Sequence, residues 1–288
     1  MLISLLHRTT FAYVGKAHDS FNEVRLKPID DATQVCRAFD LRIDPSTTIR
    51  DYVDFYGNTV HYFDVVAGHT SLVIEAVSEV ETTPNSARPP VPEVASSEKV
   101  LESERELRSE FIVDSHYVPL AVEVWKEAQD ALVAGRKDIW ADTRAICRHV
   151  FKTFAYKPRS TGVATLATDA IKIRSGVCQD FAHVALGMCR CSGIAARYVS
   201  GYFYKARNGP DEEEASHAWI EAFVPGYGWA AFDPTHDRTA DERYIKIASG
   251  RDYGDIRPVS GTYRGGKTRS LKVDVRVRQA AEAAGTPA

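Results

Sequence analysis

The sequence lacks any apolar run long enough to cross a membrane. Its first apolar stretch, Leu2 to Leu6, is too short for the core of a secretory signal and no cleavage site follows it. No segment approaches the roughly 18 to 20 apolar residues of a membrane span. A strong charge imbalance is also missing, because 36 basic and 39 acidic side chains leave a net charge of -3. The sequence therefore predicts neither a membrane partner nor nucleic-acid binding.

Cysteine is scarce: the 288 residues contain five, without the spacing of a disulfide framework or a zinc site. The glycine motifs of nucleotide-binding proteins and serine hydrolases are also missing. These absences predict a protein with no metal and no cofactor. They also predict a cytoplasmic protein, because free thiols persist in reducing surroundings. An apolar content of 44% indicates a globular chain, and its length favours two domains.

The spacing of turns and apolar residues predicts an α+β fold with a β-rich first domain. Over residues 1–83, short segments alternate apolar and polar side chains between turns, as in an antiparallel β-sandwich. The proline-rich residues 84–97 predict a linker. Residues 98–278 predict a second domain, in which helices are followed by an antiparallel sheet. Residues 279–288 predict a flexible tail.

One cysteine, Cys178, lies where a helix is predicted to begin. A short turn, Ser175-Gly176, precedes it, and the apolar segment that follows runs to Cys191 and ends at Gly193. The N-terminus of a helix favours a thiolate, because its backbone N–H groups are unpaired and its dipole is positive there. Cys178 is therefore a candidate nucleophile, although a cysteine in apolar sequence is more often part of the core.

A predicted β-hairpin brings a histidine and an aspartate together. If Phe223 pairs with Trp229 across the turn, then Trp219 lies opposite Asp233. His217 is two residues from Trp219, so it becomes a diagonal neighbour of Asp233 on the same face of the sheet. Diagonal neighbours are roughly 7 to 8 Å apart at the backbone, which is within reach of two polar side chains.

These residue types can support attack on an amide carbonyl. The sequence predicts Cys178 as the nucleophile, His217 as the base and Asp233 as the group that orients the histidine. A backbone N–H at the helix start could stabilise the oxyanion. His183 lies roughly 140° around the helix from Cys178 and is predicted to be a buried structural residue. His236, which follows Asp233 closely, stays open as an alternative base.

At these residues the chain resembles the transglutaminase-like superfamily, specifically the bacterial transglutaminase-like cysteine proteases. The matching stretches are Gly176–His183, Gly193–Tyr202, Ser216–Trp219 and Trp229–Thr235, and Asn22–Pro28 with Asp54–Asn58 are similar to the β-rich domain that precedes the core in such proteins. The resemblance implies a papain-like α+β core with a catalytic triad of Cys178, His217 and Asp233.

The resemblance leaves several reactions open, since relatives include cross-linking enzymes, proteases, peptide:N-glycanases and inactive scaffolds. Hydrolysis of amide bonds in a peptide or protein substrate is the favoured hypothesis, because water is the default acceptor of a thioester. The alternatives are transfer of the acyl group to an amine and a non-catalytic role in binding a peptide or protein. The calcium-binding loops of animal cross-linking enzymes are not evident.

Overall fold

A computed structural model describes residues 1–84, 106–135, 138–205 and 216–280. Residues 85–97 of the predicted linker and 281–288 of the predicted tail lie outside these ranges. The strands are β1 (Leu2–Val24), β2 (Gln34–Asp44), β3 (Arg50–Val53), β4 (Thr59–Val65), β5 (His69–Thr82), β6 (Ala155–Tyr156), β7 (Ser175–Gly176), β8 (Ala196–Phe203), β9 (His217–Val224), β10 (Gly228–Asp233), β11 (Arg238–Thr239), β12 (Tyr244–Gly250) and β13 (Val259–Gln279). The helices are α1 (Val122–Ala131), α2 (Ile139–Thr153), α3 (Ala167–Ile173) and α4 (Cys178–Cys191), with a short 3-10 helix at Ser109–Phe111. The predicted α+β class is confirmed.

The N-terminal strands form one antiparallel sheet that folds over on itself. Its order is β2-β5-β1-β4-β3, and β13 pairs with β1. The long strand β1 pairs with β5 as far as Ala17 and with β4 from Ser20 onwards. Phe39 of β2 stacks on His61 of β4 with ring centroids 5.1 Å apart, although β5 and β1 separate these strands in the sheet. The predicted β-sandwich is thus built from a single bent sheet.

The second region packs its helices against a five-stranded antiparallel sheet of order β11-β10-β9-β8-β12. Side chains of β9 alternate between the two faces of this sheet. Ala218 and Ile220 belong to the apolar core that includes α4, whereas Trp219 belongs to a separate cluster. Helix α4 is buried from Asp180 to Arg190. None of the described helices is long and apolar enough to cross a membrane.

The last strand, β13, runs antiparallel to β1 along most of both strands. Its alternating sequence predicted a strand of the second domain, but its hydrogen bonds join it to the N-terminal sheet. Near its end, Val275 and Val277 pack with Ile245 and Ile247 of β12. The two regions therefore share a strand across the predicted domain limits.

Two buried amide side chains of the N-terminal region, Gln34 in β2 and Asn58 in the turn before β4, bind β12, which is the edge strand of its own sheet. Gln34 donates to the carbonyl of Lys246 and accepts from its backbone N–H, both at 2.8 Å. Asn58 does the same for Ser249, at 2.9 and 2.8 Å. Both amides are buried. They satisfy backbone groups that an edge strand otherwise leaves unpaired.

Replacing Gln34 with alanine should lower the free energy of unfolding by about 1 to 3 kcal/mol, because the buried backbone N–H of Lys246 loses its acceptor, while the Lys246 carbonyl keeps its hydrogen bond from the backbone N–H of Ile29. Urea denaturation would measure the change. Gln129→Ala on the exposed side of α1 is the matched control, and should change stability by less than about 0.5 kcal/mol. Equal, small effects for the two substitutions would contradict the role assigned to Gln34.

Candidate active site

The Cys178 thiol lies at the first residue of α4, as the sequence predicts. Helix α3 ends at Ile173, and the residue after it, Arg174, has a φ of 51° that turns the chain. Ser175–Gly176 then pairs with Ala155–Tyr156 in a short parallel ladder, which holds the approach to the helix in place. Cys178 is partly exposed and packs against the apolar core.

Asp180 stabilises this helix start. Its carboxylate accepts a hydrogen bond from the backbone N–H of Val177 at 2.8 Å and another from the Thr161 hydroxyl at 2.6 Å. A Cβ atom at position 176 would lie 2.5 Å from Oδ2 of the Asp180 side chain, so only glycine fits at this position. Burial raises the pKa of Asp180, although both hydrogen bonds oppose that shift.

His217 connects the sulfur to a carboxylate. Its Nε2 is 2.7 Å from Oδ2 of Asp233. The Cys178 side chain also helps to raise the pKa of His217. Because Nε2 is held by the carboxylate, Nδ1 is the nitrogen left for the sulfur. His217 is 8% exposed and Asp233 is fully buried. The structure therefore brings together all three residues that the sequence singled out.

The register of the β9–β10 hairpin explains this placement. Phe223 pairs with Trp229 and Ile220 pairs with Phe232, so the predicted pairing is confirmed. His217 begins one strand and Asp233 ends the other. Because side chains alternate with a period of two, both lie on one face at the open end of the hairpin.

The Asp233 carboxylate is surrounded by donors. Its Oδ2 also lies 2.7 Å from the Tyr244 hydroxyl, which donates to it, and 2.7 Å from Nδ1 of His236. Its Oδ1 accepts from the backbone N–H groups of Thr235, at 2.7 Å, and His236, at 3.3 Å. Burial would raise the pKa of Asp233, but the hydrogen bonds from His217 and His236 hold that pKa well below its usual range. Tyr244 is the contact that the sequence did not reveal.

The same contacts set the charge of His217. Burial alone would lower the pKa of this imidazole, but the hydrogen bonds with Asp233 and Cys178, and the charges of both groups, raise it to about 10. The ring is therefore protonated at neutral pH and can donate from both nitrogens. The site thus combines a sulfur, a proton donor beside it and a carboxylate that orients the donor.

The two other histidines considered from the sequence have different positions. Nδ1 of His236 binds the Asp233 carboxylate, and its ring centroid lies 5.1 Å from that of His217, so it is a second donor to the same group. His183 is fully buried and accepts a hydrogen bond from the backbone N–H of Tyr253. Burial lowers the pKa of His183 to about 3. Its predicted structural position is confirmed.

One set of potential metal ligands occurs among the residues that the structure describes. Ligand atoms of His217, Asp233 and His236 lie within 4.8 Å of one another. Both histidine nitrogens are 2.7 Å from the same carboxylate oxygen, whereas two ligands on tetrahedral zinc are about 3.3 Å apart. The two 2.7 Å distances are those of hydrogen bonds and not of ligands around a metal ion. That the protein binds no metal stays a prediction.

Two family models match the chain. Residues 3–81 match the bacterial transglutaminase-like N-terminal region, and residues 126–234 match the transglutaminase-like superfamily core. The second match includes Cys178, His217 and Asp233.

Similar proteins agree with these matches. An uncharacterised protein of Mycobacterium leprae is 34% identical over 280 residues, which are 96% of this chain and 98% of that protein. A protein-glutamine gamma-glutamyltransferase of Pseudomonas aeruginosa is 35% identical over 97 residues, which are 31% of this chain and 14% of that protein. The structure of a candidate cysteine protease from Cytophaga hutchinsonii superposes with a TM-score of 0.73 at 22% identity, covering 98% of this chain and 92% of that one. That superposition shows a shared fold.

Iodoacetamide should alkylate Cys178 at least about tenfold faster than Cys191 at pH 7. Cys191 is the control because both cysteines are partly exposed and they begin and end the same helix. Only Cys178 has an imidazolium beside it and the positive end of the helix dipole. Peptide mass spectrometry would give both rates. His217→Gln should bring the rate of Cys178 close to that of Cys191, and equal rates in the unmodified protein would contradict an activated sulfur.

The raised pKa of His217 also predicts a pH-dependent stability. Its folded-state pKa of about 10 exceeds the ordinary value of 6.5. Its contribution to stability is therefore complete below pH 6.5 and is lost as the pH rises through 10. The free energy of unfolding in urea should fall more steeply over this range for the natural protein than for His217→Gln. Parallel pH profiles for the two proteins would show that His217 carries no such charge.

Proposed function

The chain belongs to the transglutaminase-like superfamily, and from this membership and the geometry of the site we propose that it is a thiol enzyme that hydrolyses amide bonds of peptides or proteins. The observation that carries the proposal is the grouping of three side chains: His217 binds the Asp233 carboxylate at 2.7 Å, and the Cys178 side chain is close enough to raise the pKa of His217. A reducing, cytoplasmic environment is part of the proposal, because the nucleophilic thiol has to stay reduced.

In the first step the sulfur of Cys178 bonds to the carbonyl carbon of the substrate. The carbonyl oxygen takes up negative charge, and backbone N–H groups at the start of α4 are the donors placed to stabilise it. Protonated His217 gives its proton to the amide nitrogen. The C–N bond then breaks, the amine leaves, and the acyl group remains on Cys178 as a thioester.

In the second step water attacks the thioester carbon. The neutral imidazole of His217 takes a proton from the water, the C–S bond breaks, and the acyl group leaves as a carboxylic acid. Asp233 holds the imidazole in one orientation throughout, and Tyr244 and His236 hold the carboxylate. The sulfur and the imidazole return to their starting state.

The surroundings of the sulfur suit a peptide. Gln179 donates to the carbonyl of Val163 at 3.1 Å, which fixes this segment beside the helix start. Val163 is 65% exposed and Tyr156 is 52% exposed. The pKa of Tyr156 is raised by burial and by the charge of Cys178. Both exposed side chains offer apolar surface to an extended substrate.

Transfer of the acyl group to an amine is the second candidate function. The local match to a protein-glutamine gamma-glutamyltransferase supports it. A primary amine would take the place of water in the second step, and the same three residues would serve. A purely binding role is less favoured, because Cys178, His217 and Asp233 are all present and adjacent.

Cys178→Ala should lower the release of amines from a peptide library by about 10⁴-fold or more, since no other group forms the thioester. Cys191→Ala, at the far end of the same helix, should keep the activity. Intact-mass spectrometry should detect an acyl adduct on Cys178 at short times, and products formed in H₂¹⁸O should carry the label on the new carboxyl group.

Three outcomes distinguish the candidates. Incorporation of a fluorescent primary amine in preference to labelled oxygen would favour acyl transfer. Full activity of Cys178→Ala would refute the assignment of the nucleophile. A protein that binds peptides but forms no adduct, even though iodoacetamide reaches Cys178, would favour the binding role.

A further inference from the structure

A cavity of about 230 Å³ lies behind the hydrogen-bonded residues of the active site. One wall is the turn that includes Asp31 and Gln34 of the N-terminal sheet, and the others come from β8, β9, β10, β12 and the segment before β12. Tyr244 lines the cavity and donates to the Asp233 carboxylate. Trp219 also lines it and packs edge-on against Tyr244, with ring centroids 5.3 Å apart. These two side chains separate the cavity from the triad.

The indole N–H of Trp219 has no hydrogen-bond partner among the described residues. Trp219 is only 1% exposed, and an unsatisfied buried donor costs about 1 to 3 kcal/mol. The indole ring of Trp219 packs directly against Gly201. A Cβ atom at position 201 would lie 2.6 Å from Cη2 of Trp219 and 2.0 Å from the carbonyl oxygen of Ile245, so the ring has little room to move. A molecule in the cavity is therefore the available source of an acceptor for this N–H.

The charged groups in the wall are already paired with one another. Arg197 donates from Nε to Glu221 at 2.7 Å. Lys246 Nζ lies 2.5 Å from the same Glu221 carboxylate and 2.7 Å from that of Asp31. The remaining wall carboxylate, Asp241, accepts hydrogen bonds from a neighbouring arginine. The wall therefore holds two cations and three carboxylates, and the third carboxylate is paired with an arginine outside the wall, so each carboxylate already has a cationic partner.

The groups still available in the wall are donors and aromatic rings. They include Trp219 Nε1 and the Nη1 group of Arg197, which makes no hydrogen bond to the parts of the chain described here. Tyr227 and Trp229 add aromatic surface, and the Arg197 guanidinium lies 4.3 Å from the Trp229 ring centroid. The volume is below the roughly 300 Å³ of the smallest sites for drug-sized ligands, so the occupant is about as large as an amino acid.

We propose that this cavity binds a small carboxylate with an aromatic or apolar body, and that Trp219 Nε1 and the Arg197 guanidinium donate hydrogen bonds to its oxygens. Because Tyr244 joins the cavity wall to Asp233, the occupant contacts a side chain that holds the triad. Binding requires neither Cys178 nor turnover, so the proposal stands apart from the proposed reaction.

The indole signals of ¹⁵N-labelled protein test the proposal directly. Benzoate should shift the Trp219 signal saturably and leave that of Trp125, which is half exposed on α1, unchanged. Benzylamine has the same ring but a cationic group, and should shift neither. Ala231→Leu fills the cavity and should weaken benzoate binding by about tenfold or more. Ala38→Leu, at an exposed position, should leave it unchanged.

Several results would overturn the proposal. They are a Trp219 signal that benzoate does not move, an equal response to benzylamine, and undiminished binding in Ala231→Leu. The unshifted signals of Trp125 and Trp140, which do not line the cavity, show that this variant is folded. The Trp219 indole signal is assigned by its loss in Trp219→Phe. If Trp219→Phe does not fold, substitution of each of the other three tryptophans in turn assigns the Trp219 signal by elimination. Cys178→Ala should show the same shift as the natural protein, whether or not the natural protein is an enzyme.

Discussion

The buried carboxylate of Asp233 is the constraint on which the site depends. A negative charge removed from water costs several kcal/mol unless hydrogen bonds replace its hydration. Here His217, His236 and Tyr244 contact one oxygen, and the backbone N–H groups of Thr235 and His236 contact the other. These donors come from β9, from β12 and from the turn after β10. The carboxylate therefore joins a hairpin, an edge strand and a turn at one point, and a shift of any of them would leave it short of donors.

Strand β12 explains why the N-terminal region matters to that carboxylate. Its first residue, Tyr244, donates to the carboxylate, while Lys246 and Ser249 further along are bound by Gln34 and Asn58. Without these amides the backbone N–H groups of Lys246 and Ser249 would lose their acceptors at the outer edge of β12. The N-terminal sheet thus fixes the strand that carries a donor of the active site. This support is delivered by hydrogen bonds between two amide side chains and the main chain of β12.

How much the sequence could predict depends on the distance over which each interaction acts. The glycine turn at Gly176 and the apolar segment after it predict α4 to its ends, and a short turn predicts the pairing of Phe223 with Trp229. Contacts between distant strands carry no such local signal. Tyr244 reaches the carboxylate only because β12 pairs with β8 and β8 with β9. The alternation in Val259–Gln279 likewise predicts a strand but not its partner, which is the first strand of the chain.

Two histidines share the Asp233 carboxylate, and their surroundings decide which of them meets the sulfur. His236 is the closer of the two in sequence, but it lies in a turn and its side chain is 27% exposed. His217 begins β9, which is hydrogen-bonded to β8 on one side and β10 on the other, so its backbone is held from both sides. It binds the carboxylate through Nε2 and keeps Nδ1 for Cys178. The imidazole beside the sulfur is therefore selected by the topology of the sheet, and the second imidazole serves to keep the shared carboxylate charged.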